Sequence, residues 1–119
     1  MIFVNLFTFS KQQKILKSSE FKKVYGKSSK IHSKYFLLLY VPEVEHARLG
    51  ITVSKKCSKR AVDRNRLKRV VRESFRLHAN QLPNADSVII AKKQAVRVDN
   101  TALFSDLDHL WVKLVDCLH

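Results

Sequence analysis

The stretch RAVDRNRLKRVVRES, Arg60–Ser74, places apolar residues at helical spacing among six Arg or Lys residues. On a helical wheel of about 100° per residue, Leu67, Val70 and Val71 share one side, and Leu77 falls on the same arc just beyond the stretch. An amphipathic helix packs its apolar side against a core. We therefore predict a helix here whose apolar side lies inside the protein.

The other side of this predicted helix carries a basic ridge, which we define by residues at i, i+4 spacing: Arg64, Lys68, Arg72 and Arg76. Arg66 and Arg69 widen the charged side, and Asn65 lies inside it. Like charges at this spacing repel each other by roughly a few tenths of a kcal/mol per pair, and only Asp63 and Glu73 could offset them within the helix. The ridge therefore indicates a surface that binds a polyanion, because phosphates release counterions on binding and fit the planar Arg side chain. The alternative is a helix face that only meets solvent.

Basic residues are concentrated in this part of the chain. The loop SKKCSKR at residues 54–60 precedes the helix and adds four cations: Lys55, Lys56, Lys59 and Arg60. The whole chain has 119 residues, 23 basic and 10 acidic, with a net charge of +13 and a pI near 10.1. Residues 54–78 hold ten basic and two acidic residues, whereas residues 79–119 hold four and five. Such segregation favours nucleic acid as a partner, or more weakly an anionic membrane surface.

The flanking sequence predicts helices and strands around the basic helix. Ser18 to Gly26 has a Ser N-cap, an i, i+3, i+4 apolar set and a Gly stop, which indicates a short helix. Tyr35–Val41 and residues 49–53 are predicted strands, running antiparallel to each other, and Ser87–Ala91 is a third. A closing amphipathic helix contains six apolar residues, with Asp99 or Asn100 as its cap: Leu103, Leu107, Leu110, Trp111, Leu114 and Leu118. This order predicts an α+β sandwich with helices packed on a small sheet.

The length and composition fit one domain. We expect residues 1–8 to be a flexible N-terminal segment and residues 9–119 to be a single nucleic-acid-binding domain. Cys57 and Cys117 form no CxxC motif, so two free thiols in a reduced, cytoplasmic setting are expected. The apolar start lacks a basic n-region and a cleavage site, and no run approaches the ~18 apolar residues of a membrane span.

The segments TVSKK and AVDRNRLKRVVRESFR resemble the bacterial ribonuclease P protein subunit, with its Arg-Asn-Arg signature at residues 64–66. The resemblance covers about residues 9–114. It implies an α-β-β-β-α-β-α fold with a left-handed βαβ crossover around the basic helix, against the usual right-handed preference. Lys14 stands where the family usually has Arg, Ser10 where Pro is common, and Cys57-Ser58 lacks a glycine that many members have.

The resemblance also implies a function. The protein would bind a large catalytic RNA and help it remove the 5′ leader from precursor tRNA, while the chemistry belongs to the RNA and its Mg²⁺ ions. The protein itself would hold no cofactor, and neither a membrane nor a small-molecule substrate is expected as a partner.

Two surfaces with different roles follow from the same resemblance. The catalytic RNA would contact the signature, the neighbouring arginine and the loop cations: Arg64, Asn65, Arg66, Arg69, Lys55, Lys56, Lys59 and Arg60. The single-stranded leader would lie in a cleft bordered by two aromatic and three basic residues: Phe21, Tyr25, Lys68, Arg72 and Lys14. Aromatic platforms beside cations suit a single strand, because stacking tolerates any base. The alternative role of Phe21 is core packing.

The sequence shows no catalytic or metal site of the protein's own. Asp106 and Asp108 are the closest acidic pair, but residues at i, i+2 of a helix do not face each other, and we attribute them to surface solubility. The five His residues have no metal-ligand spacing. Two other functions remain as alternatives: a structural RNA-binding protein without a catalytic partner, and a self-sufficient nuclease with a dispersed acidic site.

Overall fold

The structure is a computed structural model that describes residues 29–42 and 47–118. Within them four strands and two helices follow in the order β1 Ser29–His32, β2 Phe36–Pro42, β3 Arg48–Thr52, α1 Ala61–His78, β4 Ala85–Ala91 and α2 Asn100–Cys117. Short 3₁₀ turns lie at Ala79–Gln81 and Lys93–Arg97. The helix predicted at residues 18–26, with Phe21, Tyr25 and also Lys14, lies outside the described residues.

The four strands form one mixed sheet in the order β1-β2-β4-β3. β1 pairs with β2 and β2 pairs with β4 in antiparallel fashion, whereas β3 pairs with β4 in parallel. The α+β class is confirmed, and so are a basic helix and a closing helix. β1 was not predicted from the residue pattern, because SKIH buries only Ile31; the family order includes it.

The predicted direction of β2 relative to β3 is correct, but the two strands are not neighbours, because β4 lies between them. β4 is the most buried strand, with only Ile90 partly exposed. A strand covered on both faces belongs in the middle of a sheet, whereas β3 with its partly exposed residues lies at the edge. The parallel pair β3–β4 requires a crossover, which α1 supplies. The left-handedness of this crossover stays a prediction.

The main core lies between one face of the sheet and the two helices. α1 contributes Leu67, Val70, Val71 and Phe75 to it, and α2 contributes the predicted residues from Leu103 to Leu114. The prediction for Leu77 was wrong, because its side chain is 51% exposed. Phe75 takes the burial instead: its ring meets that of Trp111 edge-on at 5.9 Å between centroids. The buried arc is therefore rotated towards Phe75 and away from Leu77.

A second, smaller cluster covers the opposite face of the sheet, since residues of a strand alternate between faces. Leu39 and Val88 are buried there, and Leu37, Val41 and Ile90 pack against them. The sheet is thus apolar on both faces near its centre.

Candidate nucleic-acid interface

The exposed side of α1 carries cations without internal partners. Asn65, Arg69 and Arg72 are exposed and Lys68 is partly exposed. In the part of the chain that the structure describes, no hydrogen bond or ion pair engages the side chains of Lys68, Arg69 or Arg72. Their charges are therefore available to an external anion.

Arg64 is the cation at the first turn of α1, and it contacts the preceding loop. Its Nη1 donates to the carbonyl oxygen of Ser58 at 2.9 Å. Ser58 Oγ also donates to Asp63 at 3.0 Å and accepts from the backbone N–H of Arg60 at 3.2 Å. Arg60 is the N-cap residue but provides no side-chain cap. Ser58 therefore organises the start of the helix, and Asp63 adds a favourable charge at the positive end of the helix dipole.

Arg66 lies at the other edge of the exposed arc, where its guanidinium bonds within the protein. Nη1 donates to Oδ1 of Asn100 at 2.7 Å, and Nη2 donates to the carbonyl oxygens of Val96 and Val98, both at 3.2 Å. A longer contact of 3.5 Å reaches Ala95. These bonds fix the segment between β4 and α2 against α1. The fold therefore occupies most of the donors of Arg66, a role that sequence analysis missed.

The last member of the ridge, Arg76, differs from the other cations. Its side chain is 17% exposed and forms an ion pair with Glu73 one turn earlier. The ridge consequently offers Lys68 and Arg72 along its exposed length, with Arg69 beside them. The expected repulsion along the ridge is smaller than the sequence suggested, because Arg76 is neutralised internally.

The loop at residues 54–60 extends the basic surface. Lys55, Lys56 and Lys59 are exposed, and none has a hydrogen bond or ion pair to another described residue. Arg60 approaches Asp63 at 3.8 Å, but its side chain is mostly exposed. The loop is anchored by a turn from Cys57 N–H to the Ser54 carbonyl at 3.0 Å.

The thiol of Cys57 faces inwards and is not activated. Its Sγ donates to the carbonyl oxygen of Lys92 at 3.5 Å. Burial, followed by the negative charge of Asp63, raises the pKa of the Cys57 thiol above its ordinary value. The thiol therefore stays protonated at neutral pH.

The structure places only part of the predicted leader cleft. Lys68 and Arg72 lie one turn apart along α1. Phe21, Tyr25 and Lys14 lie outside the described residues. Whether the two aromatic residues meet the two cations of α1 therefore stays a prediction.

The two carboxylates singled out in the sequence have different surroundings in the fold. Asp106 accepts from Ser33 Oγ at 2.6 Å and from the backbone N–H of Tyr35 at 3.0 Å, so its assignment to surface solubility was wrong. Asp108 instead lies 3.4 Å from His78 Nε2. Among residues 29–42 and 47–118, no three His, Cys, Asp or Glu side chains converge as metal ligands.

Sequence analysis also did not predict that the segment between β4 and α2 contributes basic residues to the protein surface. Lys92, Lys93 and Arg97 are three of the four basic residues in an otherwise acidic C-terminal part of the chain, which was the available signal. Lys93 and Arg97 are exposed, and Lys92 donates from Nζ to the Ser33 carbonyl oxygen at 2.6 Å.

None of the helices in the described ranges has the length and hydropathy needed to cross a membrane.

Comparison with known proteins gives a consistent set of relatives. The family model for ribonuclease P matches residues 9–115. The ribonuclease P protein component of Histophilus somni (strain 2336) is 48% identical over 104 residues, which is 87% of each chain. That of Idiomarina loihiensis is 44% identical over 109 residues, covering 90% of this chain and 87% of the relative.

Solved structures agree with the sequence relatives. A mutant of the Staphylococcus aureus RNase P protein superposes with a TM-score of 0.83 at 28% identity, covering 98% of both chains. The Thermotoga maritima RNase P protein, in complex with 1-(4-fluorophenyl)-2-thiourea, gives a TM-score of 0.73 at 31% identity. That match covers 82% of this chain and 96% of the other.

Proposed function

The chain belongs to the ribonuclease P protein family, and on that basis we propose that it binds the catalytic RNA of ribonuclease P and the 5′ leader of precursor tRNA. Removal of the leader is then carried out by the RNA, and the protein promotes it by holding the RNA and its substrate. We place this activity in the cytoplasm.

The observation that carries the proposal is a set of cations, on one continuous stretch of the chain, that have no hydrogen bond or ion pair to any described residue. Lys55, Lys56 and Lys59 precede α1, and Lys68, Arg69 and Arg72 follow along it. Each phosphate contact releases counterions, so about six such contacts give a slope of log K against log salt of roughly −4 to −5. A solvated helix face predicts no such binding.

The two predicted surfaces divide these cations. We assign Arg69, Asn65, Arg60 and the loop lysines to the catalytic RNA. Arg64 and Arg66 contribute to the same surface through the N–H groups that are not bonded to described residues. Lys68 and Arg72 border the leader cleft, with Phe21, Tyr25 and Lys14 as its other residues. The exposed Asn65 suits a structured RNA, because an amide both donates and accepts hydrogen bonds.

The chemistry is assigned to the RNA and the Mg²⁺ that it holds, which supplies the activated water and stabilises the leaving oxygen. Among the described carboxylates, Asp86 is bonded to Arg48 and Asp106 to Ser33, and no three described His, Cys, Asp or Glu side chains converge as metal ligands. The contribution of this chain is to bind, orient and neutralise charge.

Reconstitution tests the proposal. Purified protein is mixed with a bacterial ribonuclease P RNA and labelled precursor tRNA, at a magnesium concentration where the RNA alone is slow. We expect cleavage at the mature 5′ end to accelerate with protein, and protein alone to leave the substrate intact. Efficient cleavage by protein alone would favour the nuclease alternative. RNA binding without any effect on cleavage would favour a structural RNA-binding protein.

A further inference from the structure

A groove opens beside the basic loop. Its volume is about 680 Å³. Among the described residues it is lined by the residue before β2, the loop and the segment between β4 and α2: Tyr35, Cys57, Lys93, Gln94, Val96, Arg97 and Val98. None of the roles assigned above uses this groove.

The lining combines three kinds of group. Tyr35, Cys57, Val96 and Val98 are partly buried and pack against the main core, so they form an apolar floor. Lys93 and Arg97 are exposed, and neither has a hydrogen bond or ion pair to the described parts of the chain. Gln94 adds an exposed amide. No described lining residue is acidic, so the groove is complementary to an anion that has an apolar part.

The backbone of Tyr35 is held in place by two hydrogen bonds. The Tyr35 N–H donates to Asp106 at 3.0 Å, and the Tyr35 carbonyl oxygen accepts from the Lys92 N–H at 2.9 Å. Lys34 adds a cation, with Nζ 5.6 Å from the centroid of the Tyr35 ring. An aromatic side chain with neighbouring cations is the usual platform for an unpaired base.

The part of the groove floor formed by Val96 and Val98 is fixed as well. Arg66 donates hydrogen bonds to the carbonyl oxygens of Val96 and Val98, and these bonds connect that part of the floor to α1. Cys57, in the middle of the basic loop, connects the groove floor to the lysines assigned to the RNA. A preformed groove loses little conformational freedom on binding, and this one continues the basic surface.

We propose that this groove takes an unpaired nucleotide of the catalytic RNA, with its base against Tyr35 and its neighbouring phosphates on Lys93 and Arg97. The inference rests on the proposed function. It adds a third contact region, formed by Tyr35 and the segment between β4 and α2, to the loop and α1. Gln94 is placed to hydrogen-bond the edge of the base.

The test measures the affinity of full-length variants for a ribonuclease P RNA transcript at several salt concentrations. Tyr35→Leu keeps an apolar side chain but removes the stacking surface, so we expect binding about tenfold weaker with an unchanged salt slope. Lys93→Ala and Arg97→Ala should each reduce the slope by about 0.7 to 0.9. Lys113→Ala is the matched control, since Lys113 is exposed on α2 outside the groove.

A second variant keeps the test independent of folding. Tyr35→Trp places a fluorescent ring in the groove, whereas the native Trp111 is 2% exposed and shielded. We expect bound RNA to quench the new indole, and poly(U) to quench it less than the transcript does. Wild-type affinity of Tyr35→Leu, or an unquenched indole on saturated RNA, overturns the inference. If the wild-type protein fails to bind the transcript, the proposed function itself is wrong.

Discussion

The indole Nε1 of Trp111 donates a hydrogen bond of 2.8 Å to Oγ of Ser74, and this bond joins α2 to α1 in the core. Both side chains are buried, with exposures of 2% and 0%. Ser74 is a polar residue on the buried side of a helix, and a buried polar group requires a partner. The pair therefore fixes the rotation of α1, and with it the direction in which the basic residues point.

Removing the hydroxyl of Ser74 is expected to destabilise the protein. Ser74→Ala leaves the buried N–H of Trp111 without its acceptor, which costs about 1 to 3 kcal/mol in unfolding free energy. Urea unfolding followed by tryptophan fluorescence measures this. Ser105→Ala, at an exposed position of α2, is the control and should change stability by less than about 0.5 kcal/mol. Equal stability of the two variants would contradict the role of the bond.

Arg66 and Arg69 should separate fold stability from RNA binding. Arg66→Ala removes hydrogen bonds from a charged donor to Val96, Val98 and Asn100, so we expect a loss of roughly 1.5 to 3 kcal/mol in unfolding free energy. Arg69→Ala should leave stability within about 0.5 kcal/mol and reduce the salt slope of RNA binding by nearly one. Chemical denaturation and RNA titration on both variants check this. Unchanged stability of Arg66→Ala would mean that its guanidinium is free for RNA.

The salt bridge between β3 and β4 provides a third prediction. Arg48 meets Asp86 through two hydrogen bonds of 2.7 Å, and the Asp86 side chain is 1% exposed. Because Arg48 is partly exposed, Arg48→Met should cost about 2 to 3 kcal/mol, less than the roughly 3 to 5 kcal/mol for a fully buried pair. The double variant Arg48→Met, Asp86→Leu should regain most of that stability. A double-mutant cycle of unfolding free energies measures the coupling between the two side chains. If the loss in the double variant equals the sum of the losses in the two single variants, the salt bridge contributes no coupling and the prediction is wrong.

The sequence predicted the helices and most of the strands better than it predicted which strands pair and which side chains bond to each other. The apolar positions Leu67, Val70 and Val71 placed α1 correctly, because helical periodicity is local. The insertion of β4 between β2 and β3 depends on pairings distant in sequence, which no local pattern contains. The same holds for Arg66, whose acceptors lie about thirty residues away. The predicted burial of Leu77 was wrong because a helical wheel gives only the direction of a side chain and not the size of its neighbours. The larger ring of Phe75 occupies the space beside Trp111.

The two cysteines should differ in reactivity. The pKa of Cys57 is raised by burial and by Asp63, and its Sγ donates to the Lys92 carbonyl oxygen. Cys117 is exposed. With limiting iodoacetamide at pH 8 we expect Cys117 to be alkylated first, because only the thiolate reacts. Peptide mass spectrometry measures the ratio, and urea-unfolded protein, in which the burial of Cys57 is lost, is the control. Faster labelling of Cys57 in the folded protein would mean that the loop opens.

Tyr40 should make stability fall at alkaline pH. Burial, followed by a hydrogen bond with the Cys117 side chain, raises the pKa of Tyr40 above its ordinary value of 10.0. The neutral phenol is therefore favoured in the folded protein, and its contribution is complete below pH 10 and is lost as pH rises through the raised pKa. Lysines also titrate in this range, so the comparison is between the parent and Tyr40→Phe. We expect the unfolding free energy of the parent minus that of Tyr40→Phe to be constant from pH 7 to 9. This difference should fall above pH 10, because only the parent loses the contribution of Tyr40. Urea unfolding at half-unit steps to pH 11.5 measures it, and parallel curves over the whole range would show that Tyr40 ionises as freely in the folded protein as in the unfolded chain.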